Sequence, residues 1–203
     1  MKRITLSLLL PALFFCAYGQ SAEQLMAGVL SPDQLKQIIQ LHPEMKPQVF
    51  TITSDKDTSA ITLPLFSKKT GYTFRIGTDV FKIISSASYP EFRVSYIYLD
   101  GSVLSMSTID SLRNTIRLFY KEGEPFYSLA RWHTMDINAS GDNGWFREKT
   151  LMPEFEAAVR QHKKGDLFTV DIPENKWYYV VLKTFNDRVT QELTILKLSD
   201  PKK

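Results

Sequence analysis

Apolar and polar positions change period several times along this chain, and each change predicts an element. Between residues 20 and about 48, Leu35, Ile38, Ile39 and His42 recur at helical spacing. Ser31-Pro32-Asp33 supplies a start for that helix, with Ser as cap and Pro in the first turn. Pro43 and Pro47 end it. The pattern then shortens. Residues 49–53, 60–66, 73–76 and 80–84 are β-rich, brief and separated by turn residues, which predicts strands. Residues 85–90 (SSASYP) are small and polar and end in proline, so they read as a linker.

Beyond it, residues 92–99 (FRVSYIYL) carry the β-branched and aromatic content of a strand, and Asp100-Gly101 makes a turn. Ser107-Thr108-Ile109-Asp110 has capping-box character, with Asp in place of the usual Glu. The helix that follows presents Ile109, Leu112, Ile116 and Phe119 on one face and stops at Gly123. Residues 126–133 read as a second, short helix. Pro153 opens a third, with Phe155, Ala158 and Val159 inward and Gly165 as its stop. Residues 168–172 and 177–182 are strands, and 191–198 (QELTILKL) alternates and adds another. No internal repeat or low-complexity tract interrupts this order.

The N-terminus changes the picture most. Lys2-Arg3, an apolar run from Ile4 to Phe15, and Ala17-Tyr18-Gly19 together form the pattern of a secretory signal cleaved before Gln20. The apolar run is too short to span a bilayer. Cys16 raises lipid attachment as an alternative, although Phe14 and Phe15 stand where such a site has small residues. Cys16 is the one cysteine, so a chain starting at Gln20 has no disulfide, thiolate nucleophile or Cys-ligated metal. Without the signal, 25 basic residues become 23 against 22 acidic ones, close to neutral. No Lys/Arg cluster supports nucleic-acid binding, and no later apolar stretch reaches membrane-spanning length.

Several phrases carry a resemblance. Phe126-Tyr127-Ser128-Leu129-Ala130 fits F-x-x-L-A, and Thr134-Met135-Asp136 fits S-x-D. Gly141-Asp142-Asn143-Gly144-Trp145-Phe146 fits G-D-L-G-W-F, and residues 151–158 (LMPEFEAA) fit M-x-x-x-F-E-x-A. His162-Lys163-Lys164-Gly165-Asp166 precedes the next strand, and Lys176-Trp177-Tyr178-Tyr179-Val180-Val181 sits where G-Y-H-I-I is usual. In order and spacing, over residues 90–186, this resembles the parvulin-type (PpiC-type, rotamase) peptidyl-prolyl cis-trans isomerases. The wording YIYLDGS and KWYYVV resembles exported parvulin-like proteins of flavobacteria and relatives.

The resemblance implies an α+β domain, with an antiparallel sheet of about four strands flanked by helices, after a helix-plus-strands region at residues 20–89. A strand and tail at 187–203 follow it. It implies rotation about the bond preceding proline, with no cofactor or metal and with proline-containing polypeptides as partners. Leu151 and Phe155 then seat the proline ring; Met152 can trade places with Leu151, and Asn143 makes one wall more polar than the family's Leu. Asp136, Tyr96 and Tyr178 form the polar floor, the two tyrosines standing for the family's histidines. Read from residue type alone, Leu151 and Phe155 are equally core residues one helical turn apart, and both tyrosines are strand-packing residues. His133 and His162 lie away from these positions, and Asn138-Ala139-Ser140 marks a loop. The segment 100–104 (DGSVL) lacks the basic cluster of phosphate-directed parvulins.

Three functions follow: an isomerase assisting the folding of exported proteins, a non-catalytic chaperone or peptide-binding module of the envelope, or an assembly subunit on the same fold. Because the motifs all lie beyond Ser88, a fragment starting there is expected to fold alone.

Overall fold

The computed structural model describes residues 21–29 and 32–200. The signal segment, Cys16 and the cap expected at Ser31 lie outside the described residues. The chain is α+β and forms two compact units. One comprises Met1–Phe50, Lys69–Ile84 and Ile195–Lys203, and the other Thr51–Lys68 and Ser85–Thr194. No helix among the described residues is long and apolar enough to cross a membrane.

In the first unit, helix α1 (Ala22–Gly28) opens with a reciprocal cap. Ser21 Oγ accepts from Gln24 N–H, and Gln24 Oε1 accepts from Ser21 N–H. Helix α2 (Pro32–Leu41) follows, then a 3-10 turn at Pro43–Met45 and the start of strand β1 (Gln48–Thr53). Strand β2 (Thr73–Ile76) forms an antiparallel hairpin with the start of strand β3 (Asp79–Asp100). Ala22, Leu25, Met26, Met45 and Val80 pack with Leu196 and Leu198 from the far end of the chain. Buried Lys82 closes α1: its ammonium donates to the carbonyls of Met26 (2.7 Å) and Val29 (2.8 Å) at the helix's C-terminal end, where a cation suits the helix dipole. Burial holds its pKa below the ordinary lysine value.

In the second unit the sheet runs β1, β7 (Arg188–Ser199), β3, β6 (Trp177–Lys183), β5 (Leu167–Ile172), and β4 (Asp142–Arg147) also pairs with β3. The ladders β3/β4, β3/β6 and β5/β6 are antiparallel. Successive residues of a strand face opposite sides of the sheet, and each side has its own core. On one side Phe92, Val94, Phe168, Val170 and Val181 pack with Phe155 and Val159 of helix α5 (Pro153–Gln161). On the other, Ile97, Leu99 and Val180 pack with Ile109 and Ile116 of helix α3 (Met106–Lys121) and with Phe126 and Leu129 of helix α4 (Phe126–His133).

The differences from the sequence expectations have local causes. Among the described residues the sheet has seven strands, because β1, β2 and β7 join the four (β3 to β6) of the region where about four were expected. Residues 85–90 are not a linker; they are the middle of the 22-residue strand β3, whose ladder holds small polar residues on exposed positions. Residues 60–66 are not a strand. Ser59 and Thr62 cap each other's backbone and lead into a 3-10 turn (Leu63–Ser67), whose Pro64 has no N–H to give a ladder. The cap of α3 is Ser105, two residues earlier than expected; its Oγ accepts from Thr108 N–H. Phe119 is 41% exposed. The buried stripe of α3 contains Arg113 instead, whose guanidinium binds Asp171 and the carbonyls of Val170 and Tyr179. Asp142-Asn143-Gly144 of the Gly-Asp phrase open strand β4.

Against the expectation of independence, a fragment beginning at Ser88 loses Thr51–Lys68 from the second unit. It also leaves Leu196 and Leu198 without their α1 neighbours. Such a fragment should lose the cooperative thermal transition of the chain from Gln20, read by circular dichroism. A native-like melt of the fragment would show that these contacts are dispensable.

Candidate functional site

The site grows from the pleat. Tyr96 and Tyr98 share one face of β3, and the ladder pairs Tyr96 with Val181 and Tyr98 with Tyr179. Tyr179 therefore faces the same side as Tyr96. The segment after α4 is stitched onto β3 beside them. Thr134 Oγ1 accepts from Tyr98 N–H, Met135 N–H donates to the Tyr98 carbonyl, and Tyr96 N–H donates to the Gly141 carbonyl. Gly141 has φ +69, and a Cβ there would collide with the Tyr96 carbonyl, so this crossing demands glycine. The stitching sets Asp136 under Tyr96, whose hydroxyl donates to Asp136 Oδ2 at 2.5 Å. The other oxygen, Oδ1, accepts from Asn138 N–H at 3.4 Å.

The opposite wall is built by α5 and the turn before it. Phe155 is buried, and Leu151 and Met152 are half-buried beside it. The side chain of Glu156, itself buried, turns back and accepts three consecutive backbone N–H groups: Lys149 (2.9 Å), Thr150 (2.9 Å) and Leu151 (2.8 Å). Converging three neighbouring amides on one carboxylate accompanies a left-handed backbone at Lys149, φ 66. Burial opposes the charge on Glu156, but the three amides outweigh it and hold the carboxyl below its ordinary pKa.

Between these walls lies a cavity of about 420 Å³, lined among others by Tyr96, Asp136, Asn143, Leu151, Met152, Phe155 and Tyr179. Three rings form its base in mutual edge-on contact. Their centroids are 6.5 Å apart for Tyr96–Phe155, 6.0 Å for Tyr96–Tyr179 and 5.3 Å for Phe155–Tyr179. Burial, with the hydrogen bond to Asp136, pushes the Tyr96 phenol up to about 12. Burial, with Tyr98, Tyr96 and Asp136 nearby, pushes the Tyr179 phenol up to about 12. Asn143 is placed by its neighbour Asp142, which Arg93 clasps through two nitrogens (3.1 and 2.5 Å) and thereby holds below its ordinary pKa.

Of the residues singled out from sequence, the cavity gathers Tyr96, Asp136, Asn143, Leu151, Met152 and Phe155. It does not gather Tyr178. Alternation turns Tyr178 to the other side of the sheet, where it is 9% exposed among Ile97, Leu99 and Val180. Its ring lies so close to Gly101 that a Cβ there would collide with it, and the Arg113 guanidinium lies over it at 5.5 Å. The correction is one residue along β6: Tyr179 takes the place expected of Tyr178. Tyr179, Trp177, Ile172, Thr150 and Lys149 are the lining residues that the sequence reading missed. The period-two pattern of β6 puts Trp177 and Tyr179 on one face, and the pairing with β3 assigns that face to the cavity.

Both histidines stand outside the cavity lining. His133 is partly buried, which lowers its pKa, and His162 stacks on Phe168 with centroids 3.7 Å apart. Among the described residues no group of three or more His, Cys, Asp or Glu is placed to hold a metal.

The Glu156 clasp yields a prediction. A carboxyl with a lowered native pKa adds stability above its unfolded pKa of about 4.3, and that stability is lost as pH falls through the native value. Glu156→Gln keeps the shape but removes the charge, which at neutral pH should cost about 1.5–3 kcal/mol. The deficit should shrink as pH falls below about 4.3, where the unfolded chain takes up the proton, and vanish once the native carboxyl is itself protonated. Urea unfolding at both pH values measures it, and a pH-independent deficit would contradict the clasp.

No protein-family model matches this chain, and no curated protein matches it. Solved structures do. A crystal structure of the peptidylprolyl isomerase PrsA from Bacillus anthracis is 24% identical, with a TM-score of 0.40 over 49% of this chain and 43% of that one. PrsA from Bacillus cereus is 22% identical, with a TM-score of 0.38 over 48% and 36%. The parvulin domain of PpiD from E. coli is 20% identical, with a TM-score of 0.39 over 49% of this chain and 91% of the domain. The matched region thus spans less than half the length of either PrsA chain.

Proposed function

We propose that this protein is a peptidyl-prolyl cis-trans isomerase that assists the folding of exported proteins. One observation carries the reading. A single cavity joins an apolar wall of Leu151, Met152 and Phe155 to the Tyr96–Asp136 pair and the Tyr179 phenol. Those are the positions where the parvulin resemblance expects a proline seat and a polar floor, with Tyr179 in place of Tyr178.

The chemistry asks little of the side chains. Rotation about a prolyl bond faces a barrier of about 18–20 kcal/mol and breaks no bond. At the top of that barrier the amide is twisted, and its carbonyl and nitrogen have lost their resonance. An apolar seat holds the ring while the rest of the chain turns. Surroundings that solvate a planar amide poorly favour the twisted form, as does an oriented donor near its oxygen or nitrogen. The Tyr96 hydroxyl is committed to Asp136. No hydrogen bond ties the Tyr179 hydroxyl to another described residue, so it is the donor that a substrate meets. Each tenfold acceleration requires about 1.4 kcal/mol of such differential stabilisation.

The second reading, a peptide-binding module without catalysis, is favoured by that same commitment of Tyr96, which removes one donor from the cavity. A proline-limited refolding assay separates the two. The isomerase reading expects the slow phase to accelerate in proportion to protein added; binding of prolyl peptides without acceleration assigns the module. The rate should also be flat between about pH 6 and 9. Phenols with pKa near 12 stay protonated throughout that window, and no histidine lines the cavity. A neutral-range inflection would require a different catalytic group.

Action on exported clients rests on the signal pattern of residues 1–19 and on the flavobacterial wording. Native protein recovered from soluble envelope material should begin at Gln20 by mass spectrometry. A retained Met1, or lipid on Cys16, would contradict this.

A further inference from the structure

A second cavity of about 610 Å³ shares Thr150 and Leu151 with the first. Its remaining wall comes from Glu91 of β3, from Trp145, Phe146 and Arg147 of β4, and from residues on either side of the region that carries the sequence resemblance: Thr53, Asp55 and Lys56 before it, Glu192 after it. All of these belong to one compact unit. The earlier segment is firmly held there. Ser54 N–H donates to the Gln191 carbonyl at 2.9 Å, Gln191 N–H donates to Ser54 Oγ at 3.0 Å, and Arg188 pairs with Asp55 at 3.3 Å.

Most of the charge on this wall is paired internally. Glu91, whose side chain is 8% exposed, accepts from Arg147 (3.2 Å), Arg188 (2.9 Å) and the Thr190 hydroxyl (2.8 Å). Arg147 also holds Glu192 at 3.0 Å, and Arg188 lies over the Trp145 ring at 4.1 Å. The lining carries three carboxylates (Asp55, Glu91, Glu192) and two cations (Lys56, Arg147), and Arg188, outside the lining, pairs with Asp55 and Glu91 and brings the local charge to balance. A charged guest gains no net field and disturbs existing pairs, whereas an uncharged stretch of polypeptide meets aromatic faces and backbone-compatible polar groups.

We propose that this second cavity holds the uncharged residues flanking the client's proline, so that the chain crosses the Thr150–Leu151 wall from one cavity into the other. The inference rests on the proline seat proposed above. It gives residues 53–56 a role: they extend a single-proline seat into a groove for several residues. Seating a flanking side chain removes apolar surface from water, and the ordering of the peptide offsets part of that gain.

The test uses the protein from Gln20 and synthetic peptides with one Ala-Pro, lengthened one residue at a time on either side with Ser, Asn or Leu. Titration calorimetry should show Kd falling about tenfold on lengthening in one direction, and less when the added residues are Lys or Glu. A photoreactive benzoylphenylalanine at the flanking position should crosslink to residues 53–56, 145 or 192. Equal affinity at all lengths, a gain from charged flanks equal to that from uncharged ones, or crosslinks confined to other surfaces would overturn the second cavity's role and leave the proline seat standing. Failure of every peptide to bind would overturn both.

Discussion

The antiparallel register of β3 and β6 decides what this protein presents to a ligand. Tyr98 lies opposite Tyr179, and Leu99 opposite Tyr178, so one face of the ladder carries Tyr96, Tyr98 and Tyr179 while the other carries Ile97, Leu99 and Tyr178. Each face then requires its own cover. Helix α5 covers part of the first and brings Phe155; α3 and α4 cover the second. A slip of one residue in this ladder would exchange the two faces and remove Tyr179 from the cavity altogether. Arg113 reinforces the arrangement from behind, since its guanidinium reaches the Tyr179 carbonyl from the α3 side.

On that platform two polar devices shape the cavity. The Tyr96–Asp136 bond ties the segment after α4 to the central strand. The Glu156 carboxylate gathers three amides and fixes the turn that carries Leu151. Neither device includes a histidine. The result is an aromatic base, an apolar wall and one phenol, that of Tyr179, with no hydrogen-bond partner among the described residues. That combination suits a reaction in which a planar amide is twisted and nothing is transferred. The wall of the neighbouring cavity, most of whose charges are paired internally, continues the same theme.

Much of this was legible in sequence where an element has chemical punctuation. Helix α4 spans the residues expected, and α5 begins at Pro153 as expected. Strands β5 and β6 lie within a residue or so of their sequence bounds. The choice between Tyr178 and Tyr179 was harder, because two adjacent identical side chains can be assigned to faces only through the partner strand. The role of Glu156 was hidden because its partners are backbone amides, which leave no mark in the sequence. Residues 85–90 mislead for a related reason: small polar side chains are tolerated in a strand when the ladder, rather than burial, holds the backbone. Residues 60–66 mislead in the opposite sense, since side-chain caps from Ser59 and Thr62 outcompete a β-rich composition.

The central claim is that a prolyl amide turns in the cavity beneath Tyr179. Two-dimensional NMR exchange on a short prolyl peptide, with a small fraction of protein added, measures that turnover directly. Exchange cross-peaks between cis and trans resonances should appear at mixing times far shorter than the tens of seconds of the uncatalysed process. They should weaken with Tyr179→Phe and persist with Tyr178→Phe in folded protein, since the second hydroxyl lies on the other side of the sheet. Peptide resonances that shift on binding while no exchange peaks appear, or exchange lost with Tyr178→Phe alone, would contradict the account.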